Sequence, residues 1–576
     1  MSGSSQHILY ANESQSIIVI DIPASIAAAQ TLDRTPSATT FDRCLKSCPP
    51  LLRPYQTAEP KVRLRGNCLS SGREIKDDGD AEADELCNRA YGADKVKAGT
   101  AEDAVHEKYS NLIEEALVEV RERYDGPMCG GRSLGDGEYW HARELDRDYD
   151  RGCASSLEKE GKELRLNDLV TGREDEKEEK KEMADDKVIG KSDDLGTLMA
   201  RLCESECMAA SSKPCLYSLG TATRREGRQE AQFLGMRDCG QDNACLTTWE
   251  GFAQNPSDDI RTLSIYDSNY DSQNVSSSNN GSSNSSPYSF YIPPRSTFHL
   301  NDCHDAASFH AVVRNLSHED SSSNSNGNTY KPSRRFDLIL LDPPWPNASA
   351  KRKRKHSRKQ NRKRKHGQQT ASEGYSTQAN LRQTRNLLYA MDLDRLVAPN
   401  ALVGIWITNK PAVRNLILGP GGLFERLNVF LVEEWVWVKV TTGAEPVTPL
   451  DGAWRKPYEV LLLGRASASW VEALSSSPST LHVRYRVLIA VPDLHSRKPC
   501  LKALLEPMVC AHGLGGLGDL VTQSRFEPAC RALEVFARHL VAGWWSWGDQ
   551  VLLYQRKASW SASDAERKRK EGEDVV

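Results

Sequence analysis

Asp342-Pro343-Pro344-Trp345 puts a carboxylate, two rigid prolines and an indole in four consecutive positions. They follow Phe336-Asp337-Leu338-Ile339-Leu340-Leu341, a short apolar run that predicts a strand buried on both faces of a parallel sheet. Ligands in open α/β sheets bind outside the carboxyl ends of such strands. The prolines fix φ and remove two N–H donors, so the turn is stiff and its carbonyls are available to a ligand. A carboxylate accepts a hydrogen bond from an exocyclic amine, and an indole stacks on a flat ring. Together they would suit the amino edge of adenine. The plainer reading of the same residues is a strand-ending turn with a core tryptophan.

The elements that must position this turn are legible around it. Apolar and β-branched runs predict strands at 297–301, 336–341, 401–407, 434–440, 458–463, 485–490, 532–536 and 551–554. Helical spacing falls between them at 305–315, 385–396, 411–417 and 499–509. The alternation argues an α/β fold, a doubly wound, mostly parallel sheet. It begins near Tyr291-Ile292-Pro293-Pro294. A Ser-rich insertion over 317–333 and a basic one interrupt it.

Upstream, His7–Tyr10 and Ser16–Pro23 read as two short strands joined through Ala11-Asn12-Glu13, expected to pack on the catalytic domain because an isolated hairpin is marginal. Residues 1–60 therefore form a small N-terminal element. Residues 61–287 read as low-complexity and mostly disordered. Within them, Ala101 to Tyr124 has the spacing of an amphipathic helix, the run Glu174–Glu182 reads as a solvated charge segment, and Ser264 to Ser289 as a flexible linker. The main domain covers 288–558, with a basic insertion at 351–370, and 559–576 is a charged tail.

The chain has 576 residues, too many for one ordinary domain, but only 39% are hydrophobic and the net charge is −4. Mean hydropathy is −0.58. The average charge carries no nucleic-acid signature; the distribution does. No apolar stretch reaches membrane-spanning length, and the first residues lack the basic flank and apolar core of a secretory signal. The 15 cysteines include two C-x3-C pairs, Cys44/Cys48 and Cys203/Cys207, neither with a second pair at zinc-site spacing, so no metal site is expected and reduced thiols are the default.

Phe336 to Asn347 resembles the DPPW-class adenine-N6 methyltransferases, the family of the messenger-RNA N6-adenosine methyltransferase. Further segments resemble its methyltransferase-like protein 4 branch: Trp406–Asn409, Glu434–Lys439, Pro449–Asp451, Lys456–Glu459 with Leu463–Arg465, Leu494–Pro499, Leu533–Arg538 and Gly543–Gly548. They fall in the family's order across roughly 288–556. The resemblance implies a Rossmann-like methyltransferase fold with permuted motif order, in which the catalytic turn precedes the main cofactor strand, and it implies S-adenosyl-L-methionine as cofactor.

By that resemblance, Asp342 and the Pro343 carbonyl would each accept one N6 hydrogen, Pro344 would stiffen the turn, and Trp345 would stack on the base. Glu534 and Arg538 would bind the cofactor's ribose and amino-acid end, with Lys498 near its carboxylate. Asp549 and Gln550 would contact its ribose or adenine, and Asp302 its adenine end. His539 stands where the family usually has Asn, and Asp549 follows Gly548 where the family has Gly-Asn. Asn347, Asn409, Lys439, Tyr458 and Glu459 fall at substrate positions. The branch has a Lys-Arg pair that matches Lys351 and Arg352.

That pair opens a block from Lys351 to Lys365 with 11 Lys/Arg, starting six residues after Trp345. It reads as phosphate capture beside the active site, as a nuclear-localisation signal, or as a solvated insertion. Arg567-Lys568-Arg569-Lys570 reads as a second, weaker nuclear signal. The expected activity is N6-adenine methylation of an unpaired or flipped base, on RNA (a small nuclear RNA adenosine) before DNA, in the nucleus, with a monomer as the expected state. A catalytically silent RNA-binding subunit is the rival reading.

Overall fold

The computed structural model describes residues 7–32, 41, 43–55, 101–134, 216–221, 247–248, 251–266, 288–319, 335–346, 380–452, 456–466, 483–494, 497–513 and 530–562. The basic insertion, the charge segment at 174–182, the linker after Tyr266, Cys203/Cys207 and the basic run at 567–570 lie outside them.

In chain order the elements are strands β1 (Ile8–Ala11) and β2 (Ile17–Ile20), helix α1 (Ile22–Ala28), β3 (Arg43–Ser47), helix α2 (Ala101–Arg123), β4 (Ser133–Leu134), β5 (Leu216–Thr221), β6 (Thr247–Thr248), β7 (Phe252–Gln254), β8 (Arg261–Tyr266), β9 (Tyr288–Ile292) and β10 (Thr297–His299). Then come α3 (Ala306–Glu319), β11 (Phe336–Leu341), α4 (Leu381–Ala390), β12 (Val397–Ile407), α5 (Pro411–Leu418), α6 (Leu423–Arg426), β13 (Val429–Lys439), β14 (Tyr458–Ala466), β15 (Arg484–Ala490), α7 (Lys502–Gly513), β16 (Ala532–Val535), β17 (Trp545–Trp547) and β18 (Trp560–Ala562).

Among the described residues, eleven strands form one sheet in the order β1-β2-β15-β13-β14-β12-β11-β16-β17-β10-β7. Six of its ten neighbouring pairs are parallel. Both faces are apolar, as such a sheet requires. Ile339 and Leu341 enter one core, with α2, α3 and α4 side chains. Leu338 and Leu340 enter the other, with α1 and α7.

β11 lies between β12 and β16, parallel to both. The chain leaves β11 toward β12 on one side, while β16, β17 and β10 extend the sheet on the other. The carboxyl end of β11 is thus a point where strand order reverses, which opens a crevice there.

The N-terminal hairpin joins this sheet directly, because β2 pairs parallel with β15. Asp21 caps α1 by accepting from Ala24 N at 2.8 Å, and its other oxygen accepts from Gly130 N at 2.8 Å. That second bond ties the hairpin to the segment after α2. The α2 spacing buries Tyr109, Ile113, Ala116, Leu117 and Val120 in the main core. Each large apolar residue so buried contributes about 1.5–3 kcal/mol, enough for stable docking.

Two expectations change. Residues 551–554 are not a strand. Val551-Leu552-Leu553-Tyr554 turns back on itself, with Leu553 N donating to Gln550 O at 2.9 Å, and the terminal strand of this region is β17. Val551, Leu552 and Tyr554 are buried and Leu553 is half-buried, without pairing in the sheet. The described parts of 61–287 also join the folded body. α2 is core, β7 is the edge strand beside β10, and β8 pairs with β9 in a second sheet.

Candidate active site

Backbone pairing between β11 and β16 runs one residue past the strand, since Asp342 N donates to Val535 O at 3.3 Å. The next three residues turn away. Trp345 N donates to the Pro343 carbonyl at 2.8 Å, and the Trp345 indole Nε1 donates to Trp406 O at 2.7 Å. Lys410 Nζ donates to Pro346 O at 2.5 Å. The turn is therefore pinned to the end of β12, and Asp342 is left facing the crevice.

Trp345 is only 7% exposed. In this geometry it anchors the turn rather than offering a face to a base, which corrects its expected stacking role. The Pro343 carbonyl keeps one of its two acceptor positions beside the bond to Trp345 N. Replacing Trp345 by Ala should destabilise the fold by about 3–5 kcal/mol, the range for a large aromatic removed from a core. Urea unfolding measures this, and a loss below about 1 kcal/mol would show that the indole does not hold the turn.

The residues that sequence spacing scattered come together as a chain of alternating charge. Lys498 Nζ donates to Asp342 Oδ1 at 3.0 Å and Oδ2 at 3.1 Å, and lies 3.1 Å from Glu459 Oε2. Lys439 Nζ takes the other Glu459 oxygen at 2.6 Å. Burial alone would lower the Lys498 pKa, but the Asp342 and Glu459 carboxylates outweigh it and hold the ammonium above its ordinary value. Burial likewise opposes ionisation of Glu459, and Lys439 and Lys498 overcome it and hold that carboxyl well below the usual range. The order is Asp342⁻, Lys498⁺, Glu459⁻, Lys439⁺.

A pocket opens beside this chain, lined among others by Asp342, Lys498, Glu534, Arg538 and His539. β16 supplies Glu534 next to β11, in register with Leu340. Phe536 follows with φ of 61°, a left-handed conformation that costs a non-glycine residue about 1 kcal/mol or more. Its N–H bond to Trp547 O at 2.7 Å holds it there. Arg538 and His539 lie just beyond this bend. Sequence reading did not place Arg497, Trp406, Trp544 or Tyr554 on this wall. Asp493 and Arg497 form a fully buried ion pair, and Arg497 lies 4.3 Å over the Tyr554 ring. The Asp493/Arg497 spacing was the available signal.

His539 is 7% exposed, and its Nε2 has no hydrogen-bond partner. Burial, with Arg497 and Arg538 beside it, pulls the imidazole down to about 4, so it is neutral near pH 7. An orphaned neutral nitrogen, two guanidinium groups and the Glu534 carboxyl around one pocket fit a nucleoside with an amino-acid end, such as S-adenosylmethionine. Its hydroxyls and amine would meet Glu534 and His539, and its carboxylate the Arg/Lys side.

Burial, with Asp342 adding and Arg538 opposing, raises Glu534 to about 8. A carboxyl whose folded pKa exceeds its unfolded value contributes stability that is complete below the unfolded pKa and lost as pH rises through the folded one. That window runs from about 4.5 to about 8. Glu534→Gln should therefore flatten the fall in stability across it and be more stable than wild type near pH 8 by about 1–2 kcal/mol, discounted for the part of the side chain solvent reaches. Parallel stability curves for the two proteins across this window would contradict the assignment.

The remaining expected residues divide. Asp302 is exposed and accepts from His304 N at 3.0 Å. It adjoins Asp549, whose carboxyl is raised first by burial and then by Asp302. Gln550 follows Asp549 in the chain, and none of the three lines the pocket. Asn409 Nδ2 donates to the Tyr458 carbonyl. Tyr458 is 3% exposed with its hydroxyl against His106, so it supports the site from behind rather than touching a substrate. Asn347, Lys351 and Arg352 lie outside the described residues. Among the described residues no cluster of three His, Cys, Asp or Glu could hold a metal, and no helix is long and apolar enough to cross a membrane.

The α/β sheet thus carries, at its reversal point, a charged pocket headed by a carboxylate on a proline-stiffened turn. Residues 336–550 match the MT-A70 family model. It is 39% identical over 228 residues to the "N6-methyladenosine RNA methyltransferase MTA1" of Cryphonectria parasitica, a match covering 40% of this chain and 55% of that protein. It is 32% identical over 223 residues to the human "N(6)-adenine-specific methyltransferase METTL4", 38% of each chain. It is 27% identical over 274 residues to the "DNA N6-methyl methyltransferase" of Caenorhabditis elegans, covering 47% of this chain and 56% of that protein. The chain spans about half or less of the length of these curated relatives.

Proposed function

We propose that this protein is an S-adenosylmethionine-dependent N6-adenine methyltransferase acting on nucleic acid. The observation that carries the reading is the Asp342 carboxylate on its pinned turn, at the edge of a pocket lined by Glu534, Arg538 and His539. When bound, the cofactor supplies an activated methyl group on a sulfonium.

The adenine N6 lone pair is delocalised into the ring, so the site must localise and aim it. Asp342 accepts one N6 hydrogen and the free acceptor position of the Pro343 carbonyl takes the other, which favours a more tetrahedral nitrogen. Lys498 occupies both Asp342 oxygens in this structure and must give one up to the entering amine. Glu459, 3.1 Å from the same ammonium, is the partner that retains it. The gain comes from orientation and from charges placed for the transition state. The proton leaves N6 after transfer, so Asp342 need not be a strong base beforehand. The target base is unpaired or flipped out, because N6 within a duplex does not reach a pocket at a strand end.

The strand carrying Asp342 precedes the Glu534 strand in the chain, the order of a circularly permuted Rossmann-like methyltransferase. RNA is the first-choice substrate, in keeping with the name of the Cryphonectria relative, and within RNA we place a small nuclear RNA adenosine first. DNA is the second reading, favoured by the name of the nematode relative. We place the protein in the nucleus and as a monomer, with the basic runs at 351–365 and 567–570 serving import, phosphate contact or both. The Asp342 carboxylate at the pocket argues against a silent subunit.

Labelled S-adenosylmethionine, offered with matched single-stranded RNA and DNA oligonucleotides, tests the reading. Transfer to the N6 of one of them supports it and selects the substrate class. Cofactor binding without transfer to either would move the assignment to a different acceptor, and absence of cofactor binding would favour the silent-subunit reading.

A further inference from the structure

We propose that His106, on helix α2, is a positioning residue of the active site: it grips Lys456 and Tyr458 and so fixes the strand end that aims Glu459 at Lys498. The inference rests on the proposed function, but the residue it adds, His106, lies far ahead of position 336, where the family match begins.

His106 makes two hydrogen bonds to alternate residues of one segment. Lys456 Nζ lies 2.6 Å from its Nε2, and its Nδ1 lies 2.6 Å from the Tyr458 hydroxyl. An ammonium has only hydrogens to give, so Nε2 must accept. The ring is then neutral, with its proton on Nδ1, and Nδ1–H donates to the Tyr458 oxygen. Burial keeps the Tyr458 hydroxyl pKa above its ordinary value, so the phenol stays protonated. The two rings also lie nearly parallel, 5.9 Å apart at 14°, and Tyr109 meets Tyr458 edge-on at 5.8 Å.

Side chains alternate across a strand. With Tyr458 held toward α2, Glu459 must project to the opposite face, where it meets Lys439 and Lys498. The backbone between them is fixed on both sides. Lys439 N donates to Pro457 O at 2.7 Å, and Asn409 Nδ2 donates to Tyr458 O. The path from α2 to Asp342 is therefore continuous: His106, Tyr458, Glu459, Lys498, Asp342.

The helix itself is anchored without His106. Tyr109 donates to Glu434, Arg414 donates to the Tyr109 hydroxyl at 2.8 Å, and Arg121 donates to Ala444 O at 2.8 Å. Substitution of His106 should thus leave α2 docked and disturb the aim of Glu459.

The test uses the full chain. His106→Phe keeps a stacking ring and loses both hydrogen bonds; His106→Asn places an amide N–H near the former Nδ1. The expected result for His106→Phe is a kcat about tenfold lower, with cofactor affinity within about twofold and nearly unchanged melting, since small misplacements near the chemistry act on turnover. His106→Asn should recover most of the loss. Wild-type kcat in His106→Phe, or a loss explained by unfolding or by weaker cofactor binding, would overturn the proposal. If the wild-type chain transfers no methyl group, the proposed function fails separately. Nitrogen NMR of the histidine-labelled chain, assigned by the signal missing in His106→Phe, then still decides the geometry. A proton on Nδ1 supports it, and a proton on Nε2 overturns it.

Discussion

Asp342→Asn will lower methyl transfer by about 10²–10³-fold, the cost of removing one group placed for a transition state, while the protein stays folded. The amide keeps the size of the carboxylate, and its oxygen still accepts from Lys498, so the turn pinned by Trp345 and Lys410 has no reason to move. What is lost is the charge, and with it the pull on an N6 hydrogen as the nitrogen becomes more tetrahedral. Half of the side-chain terminus also becomes a donor, which repels an entering amine. Initial rates with saturating cofactor and acceptor measure the effect, alongside cofactor affinity by calorimetry. Activity within about tenfold of wild type would remove Asp342 from the mechanism.

Lys498→Met will damage both activity and stability. Without the ammonium, Asp342 and Glu459 face each other across the site, and only Lys439 remains to neutralise Glu459. Breaking a fully enclosed pair costs about 3–5 kcal/mol; these side chains are 14–21% exposed, so about 2–3 kcal/mol is expected. The pH dependence follows from Glu459. Its folded pKa is depressed below 4.5, so its contribution is present above that value and is lost as pH falls through the folded pKa. In Lys498→Met the carboxyl is depressed less, so Glu459 adds less to the stability that is lost below about 4.5, and the variant's acid-side curve is flatter and converges on wild type. Urea midpoints across the acid range show this, and superimposable curves for wild type and variant would refute the charge chain. Transfer should fall by about 10²-fold because the carboxylate that receives the amine is no longer oriented.

The strand that leads into Asp342 was legible to the residue, because five apolar residues in six positions, followed at once by two prolines, admit few other structures. The helix over 101–123 was equally legible from its spacing. Its destination was not. Periodicity reports which face of a helix is buried, not against what, and the partners of His106 and Tyr109 lie more than 300 residues away. For the same reason the sequence named Asp342, Lys498 and Glu459 separately without showing that they touch. Trp345 was misassigned because an indole beside a carboxylate suits a stacking role and a core role equally, and only its bond to Trp406 O distinguishes them. The run at 551–554 misled because continuous apolarity marks burial and not extension. His539 stood out as a departure from the family pattern, and its orphaned Nε2 now gives that departure a location.

The pairing of β2 with β15 joins Ile17–Val19 to Val487–Ile489, residues separated by about 470 positions. During synthesis at about 5–20 residues per second, the apolar strand Ile17-Ile18-Val19-Ile20 emerges tens of seconds before its partner exists. Over that interval it is an unpaired edge able to recruit other nascent chains. Contacts this distant in sequence also slow the final assembly, because the long loop must close before the pairing repays it. Yield in a cell will therefore depend on whether a chaperone covers those four residues until the last third of the polypeptide has been made.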